Sequence, residues 1–371
     1  MKKNKINTDV DLFMQKSFYR PYCNAEEIER IFNVQNNEDY LLKMRADEVA
    51  DHVRLYRVMR ARIHKTKNWD FTEHFSKVEF DNYIKRLSKG NQNKLSNVAM
   101  GFVFSNDPNG SCMKTKFGNV IIISESLRYF LFFMNLHFLD AISNVEVPVD
   151  VKQHSLLIAI RTMLKTESLD FELDPRGIIP SEIEDLCNIL VQQQIEFVIG
   201  HECAHYLLGH LNQANMVEEP LYRMLSHEEW ENVRKHTFYN HRQQHEFEAD
   251  INSFKLAKFH DSSEFENFIS GAFLFFIYLD IYRSVSEVIF PPMGQMKTHP
   301  DPIDRMWNLY TEFESDSKKM KGSLESLLNY TSQLKTFLQE DVGYNIDNYE
   351  TYGSVYLGQW RGPVLIDRVD Y

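Results

Sequence analysis

Three shortages narrow the class of this 371-residue chain before any motif is read. Cysteine is scarce. Cys23, Cys112, Cys187 and Cys203 stand apart without CxxC spacing, which argues against a disulfide framework or a thiolate zinc site and fits a reducing compartment. Positive charge is short as well: 41 Lys and Arg against 53 Asp and Glu leave a net charge of −12. Nucleic acid and anionic membrane are thereby disfavoured as partners, since both need a basic footprint. The basic run from Arg54 to Lys67, with Arg57, Arg60, Arg62 and Lys65, reads as a solvated helix face. Long apolar runs are missing too. Tyr129 to Met134 and Phe268 to Leu279 fall short of the ~20 residues of a spanning helix. Asn135, His137, Asp140 and Asp280 interrupt their continuations, so both are expected to be core helices. The basic stretch from Met1 to Asp9 lacks the apolar centre of a secretory signal, and the expectation is a cytoplasmic protein with no membrane span.

What is present supports a sizeable core: 43% hydrophobic and 13% aromatic residues, with 25% charged. Residues 1–95 read as a helical lead-in, with helix-like spacing over Glu26 to Phe32, Tyr40 to Ala61 and Phe80 to Leu87, closed by a boundary at Lys89 to Asn93. A strand is expected from Val98 to Phe104, a turn at Asn106 to Gly110, and a second strand from Val120 to Ile123 that ends on Ser124, a helix N-cap. Residues 311–371 read as a C-terminal helix, to about Gln339, and a Tyr/Gly-rich tail without a recognisable motif. The fold class is α+β, mostly helical, with a small β-hairpin or sheet.

The chemistry lies in His201-Glu202-Cys203-Ala204-His205, an HExxH pattern. On a helix, ~100° per residue puts His201 and His205 about 40° apart, so two imidazoles can hold one ion. Glu202 falls a ~100° step round, beside the metal, where a carboxylate can take a proton from water. Cys203, about 200° round from His201, faces away. The apolar positions Ile183, Leu186, Leu190, Ile195, Val198 and Ile199, continued by Leu207, Leu208 and Leu211, predict a long, mostly buried helix, with Ser181 as N-cap and Glu184 closing a capping box.

A catalytic zinc needs a third protein ligand. Leu208 and Leu211 occupy the places where a metzincin has Gly and His, so that class is excluded. Within His245-Glu246-Phe247-Glu248-Ala249-Asp250, Glu246 and Asp250 share one helical face. Glu246 can ligate the ion while Asp250 orients a ligand histidine. An acidic solvated face is the alternative for this segment. A rival metal group would draw on His241 and His245 with His236 and His227.

HExxH followed by His210, then Glu246 to Asp250 in an ExxAD pattern, then Thr298-His299-Pro300 with Arg305 downstream, resembles the gluzincin metalloproteases typified by the CAAX prenyl proteases and the heat-shock protease HtpX. The resemblance spans roughly residues 95 to 310. It implies a zincin-like protease domain over 96–310, with Zn2+ held by His201, His205 and Glu246, Glu202 as catalytic base, Asp250 as orienting residue and His299 as a further catalytic candidate. It also implies that the strand pair lies near the cleft. Because typical members are membrane-embedded or secreted, a soluble variant acting on soluble proteins or peptides is expected, with a non-enzymatic, zinc-stabilised protein-binding module as the alternative.

Overall fold

The computed structural model describes residues 12–105, 108–143, 145–213, 216–220, 235–239, 243–291 and 300–362. The N-terminal quarter is helical because its caps and apolar stripes agree. Helix α1 (Ala25–Phe32) starts on a complete capping box, Asn24 accepting from Glu27 N while the Glu27 carboxylate accepts from Asn24 N. Helices α2 (Asn37–Asp51) and α3 (Val53–Lys65) are separated at His52, where the backbone turns extended, so the Tyr40 to Ala61 stretch is two helices and not one. Helix α4 (Val78–Arg86) follows. Lys89 to Asn93, where the boundary is expected, are helical, part of α5 (Lys89–Leu95), since the Ser88 hydroxyl caps Asn91 N and Leu95 buries against the core.

A three-stranded sheet comes next: β1 (Ala99–Val103), β2 (Gly110–Thr115) and β3 (Gly118–Ser124), in the order β1-β3-β2. The expected hairpin between the two apolar strands is a parallel pair, Ala99 beside Val120 through Val103 beside Ser124. The hairpin joins β3 to β2, closing at Gly118 with φ +124. Strand β2 was not anticipated, because Gly110-Ser111-Cys112-Met113-Lys114-Thr115 has no run of β-branched residues and buries mainly Gly110, Cys112 and Met113. The Ser124 hydroxyl accepts from Ser126 N and starts helix α6 (Glu125–Ile142), as its sequence suggests. Helix α7 (Val149–Met163) packs back on α6.

Helix α8 (Ser181–Leu207) carries the HExxH motif through the middle of the protein, touched by α4, α6 and β2. Its N-cap is Pro180 rather than Ser181 and no side chain caps it. The capping box is therefore absent and Ser181 is the first helical residue. At the far end the helix stops at Leu207, because Gly209 adopts φ +76 and sends the chain in a new direction. Strands β4 (Met216–Pro220) and β5 (Lys235–Tyr239) pair antiparallel, and β5 comes close to β2 without joining its sheet.

Helix α9 (Gln243–Lys255) lies along α8. Helix α10 (Ser262–Ile289) crosses α8 and absorbs the Phe268 to Leu279 stretch, running on past Asp280. Among the described residues it is the one helix long and apolar enough to cross a membrane, and its apolar residues are mostly buried inside the protein. Helices α11 (Pro302–Glu312) and α12 (Lys321–Asn345) follow, with short helical turns between and after them, α12 extending a few residues beyond its expected end. One continuous apolar core takes in residues from Tyr19 to Leu357.

Two features fix α8 in place. Asn135 of α6, Gln194 of α8 and Tyr278 of α10 form a buried polar knot, with Asn135 Nδ2 donating to Gln194 Oε1 at 2.9 Å and Tyr278 Oη donating to Asn135 Oδ1 at 3.0 Å. Each amide is satisfied, so the knot sets register without leaving buried donors. At Gly200, just before the motif, the Tyr83 ring of α4 comes so close that an added Cβ would lie 2.7 Å from it and 3.1 Å from Ser253 Cβ. A methyl there would overpack the junction at a cost of about 1–3 kcal/mol.

Candidate metal centre

Three elements supply the centre: the last turns of α8, the first turns of α9 and the start of α11. His201 Nε2 and His205 Nε2 lie 2.9 Å apart. Glu246 reaches both, Oε2 at 3.5 Å from His201 Nε2 and Oε1 at 3.6 Å from His205 Nε2. Donors around a tetrahedral ion with bonds of about 2.1 Å are about 3.4 Å apart, so the two Glu246 separations fit a zinc-sized cation, while the two imidazole nitrogens stand closer than that. All three side chains are buried.

The outer nitrogens settle which ring atoms face inward. His201 Nδ1 donates to Asp250 Oδ1 at 2.9 Å, and Asp250 is gripped by Arg305 through Nη2 to Oδ1 at 2.6 Å and Nε to Oδ2 at 2.8 Å. His205 Nδ1 lies 2.8 Å from His210 Nδ1, and His210 Nε2 lies 3.3 Å from Glu248 Oε2. With each outer nitrogen holding its ring's one proton, two lone pairs confront each other across 2.9 Å beside a carboxylate. That is repulsive unless a positive charge sits among them. A divalent cation supplies it. In the metal-free protein a proton does: burial pulls the His201 pKa down, but hydrogen bonds to Asp250 and Glu246 outweigh this and lift it to about 10.

The donor set therefore fits the ion that the sequence pattern implies, which His201, His205 and Glu246 would hold. Glu202 is placed beside this trio, buried, on the side facing the sheet. An added Cβ at Gly110, the first residue of β2, would lie 3.1 Å from Glu202 Oε1 and 2.8 Å from Val198 Cγ1. Only a glycine lets the strand approach the carboxylate this closely. Cys112 and Cys203 are buried thiols near Glu202, and burial pushes both pKa values up, so neither supplies a thiolate.

Arg305 enters from α11, which starts on Pro302 with the Asp301 side chain capping Ile303 N. Its Nη1 also lies 3.3 Å from Glu246 Oε2. Burial works against its charge but Asp250 and Glu246 raise its pKa further, so it is a permanent cation. His299 lies outside the described residues, as do His227 and His241. His236 is on β5, whose side chains are not described.

Sequence reasoning missed the His205–His210–Glu248 chain. On an unbroken helix His210 would stand about 140° round from His205. The left-handed turn at Gly209 brings it back over that ring. A Gly four residues beyond the second motif histidine, at the close of an apolar-periodic stretch, is the C-cap signal that could have exposed it. Burial and the neighbouring His245 hold the His210 pKa below the ordinary value, so its ring is neutral and able to accept.

Compared with models of known protein families, with curated proteins and with solved structures, the chain matches none.

Proposed function

We propose that this chain is a zinc-dependent endopeptidase of the gluzincin kind, with a zincin-like core built on α8, α9 and the small sheet, acting in the cytoplasm on soluble proteins or peptides. The observation that carries the reading is the convergence of His201, His205 and Glu246 with Glu202 alongside and an edge strand against Glu202. A purely structural site would gain nothing from that extra carboxylate at the mouth. Zinc, when bound, supplies Lewis-acid polarisation of the scissile carbonyl and makes water more acidic.

The protein groups do the rest. Glu202 accepts the proton of the attacking water and returns it to the departing amine. Asp250, held by Arg305, fixes the tautomer and orientation of His201, and His210 does the same for His205. Strand β2 offers its backbone to an extended peptide by β-augmentation, and Gly110 lets that peptide pass within reach of Glu202.

The test is Glu202→Gln in the full-length protein. The amide fills the same space but accepts no proton, so peptide cleavage is expected to fall ~10²- to ~10⁴-fold while metal content stays at one ion per chain. Mapping the new N-termini made by wild type and absent with the variant names the substrates. A variant that cleaves as well as wild type overturns the mechanism. A wild type that holds zinc yet cleaves nothing in a broad peptide library replaces it with the binding module.

A further inference from the structure

Beside the proposed centre stands a second convergence of donors. His210, His245 and Glu248 each place one ligand atom within 4.8 Å of the others. His210 Nε2 and Glu248 Oε2 are 3.3 Å apart, and the His210 and His245 rings stack at 4.2 Å between centroids and 10° between planes. His210 is buried under the Gly209 turn, whereas the Glu248 side chain is 44% exposed, so an ion can enter from solvent. Two of the three come from one face of α9, and His210 meets them from the end of α8. We propose that these residues form a second, weaker site for a borderline divalent cation such as zinc or cobalt, and that filling it opposes binding at the first. Two imidazoles and one carboxylate suit that class of metal. The parallel stack, which must open for both rings to aim at one ion, and the exposure of Glu248 make the site weaker than its neighbour.

The opposition follows from counting protons. A neutral imidazole has one N–H and one lone pair. An ion held by His205 Nε2 leaves that ring's proton on Nδ1, pointing at His210 Nδ1 across 2.8 Å. His210 must then accept there and carry its own proton on Nε2, towards Glu248. A second ion on His210 Nε2 drives that proton round to Nδ1, where two N–H groups meet head on. The contact that orients His205 is lost. Losing such support costs ~10- to ~100-fold in metal affinity, and by reciprocity the first ion weakens the second by the same factor. Excess metal therefore loosens the catalytic ion and slows the proposed peptidase. The inference rests on the metal reading of His201, His205 and Glu246.

The experiment uses the full-length protein with its first site loaded with isotope-labelled zinc. Release of the label is followed while unlabelled zinc is raised, and ions per chain are counted at each step. Wild type is expected to take up a second ion, and release of the label is then expected to quicken ~10- to ~100-fold. His245→Ala and Glu248→Gln are each expected to lose the second ion and to release label at a rate independent of free zinc. Two ions in both variants place the second ion elsewhere and overturn the proposal, as does a second ion in wild type that leaves label release unchanged. A wild type that binds one ion only also sinks it, leaving the proposed function intact. A wild type that binds none sinks the proposed function first.

Discussion

Two buried clusters of charge in this protein look alike in composition and differ in their arithmetic. In the segment between α7 and α8, Glu167, Asp170, Asp174 and Arg176 meet Arg161 of α7 and Arg54 of α3: three cations against three carboxylates, at 2.9–3.1 Å. At the candidate metal centre Glu202, Glu246 and Asp250 are buried around Arg305 alone, together with two imidazoles that are neutral as ligands. The first cluster is complete. Its guanidiniums also bind main chain, Arg161 Nη2 donating to Thr351 O at 2.8 Å, and so fasten the C-terminal tail. The second is two negative charges over, the charge of one divalent ion. Counting charge separates a cluster that is neutral in itself from one left short of positive charge.

Four measurements break or sharpen that contrast. The largest effect is expected at Glu167, which accepts from Arg161 and Arg176 and is fully buried. Glu167→Ala leaves two buried guanidiniums short of a partner and should cost about 3–5 kcal/mol of stability, in zinc or in chelator alike. Denaturant unfolding in both buffers reads this, and a zinc-dependent loss would blur the distinction drawn above. Glu246→Gln should behave oppositely. Without metal it relieves buried like charge and melts no lower than wild type. With free zinc at ~1,000 times its dissociation constant, wild type gains ~4 kcal/mol and the variant little. A variant stabilised by zinc as strongly as wild type would remove Glu246 from the ligand set.

Asp250→Asn comes third. It keeps the size of the side chain but weakens its hold on His201 and Arg305, and zinc affinity should drop ~10- to ~100-fold in a chelator titration. An affinity unchanged from wild type would leave Asp250 as packing only. The smallest effect, taken per pH unit, is that of pH. His201 in the metal-free protein has a pKa raised above its unfolded value, to about 10. Its proton therefore stabilises the metal-free fold fully below about 6.5, and that contribution fades as pH rises through about 10. Zinc must displace the proton, so apparent zinc affinity should rise about tenfold, ~1.4 kcal/mol, per pH unit between 7 and 9. Stability owed to the Glu167 cluster should not move over that range. A zinc affinity flat in pH would mean that His201 does not bear the proton.

Much of the centre was legible because helical periodicity is a local rule. His201, Glu202 and His205 are placed by arithmetic on one helix, and Glu246 with Asp250 by the same arithmetic on another. What escaped depends on a departure from regularity or on distant partners. Gly209 breaks the helix and turns His210 back on His205. Gly110 gives no strand signal, yet its missing side chain admits β2 to Glu202. The tail after Val342 has no pattern of its own because its order comes from elsewhere: Arg161 donates to Thr351 O, Ile178 N to Trp360 O and Leu357 N to Arg176 O. The pairing of β1 with β3 was misjudged for the same reason, since adjacency in sequence favours hairpins and the parallel register is fixed only by a third strand.

Tyr83 against Gly200 has a consequence in time. The ring that seats the motif helix comes from α4, Glu202, His201 and His205 from α8, Glu246 from α9, and the guanidinium that steadies Asp250 from α11. Chains emerge from the ribosome N-terminus first, at ~5–20 residues per second, so the lining of this centre is delivered piecemeal and ends with Arg305. Contacts so far apart along the chain form slowly and late. A nascent chain can expose HExxH for many seconds without the means to hold an ion firmly or to aim Glu202. Whatever the centre does is withheld until nearly all of it has been made, and then becomes available at once.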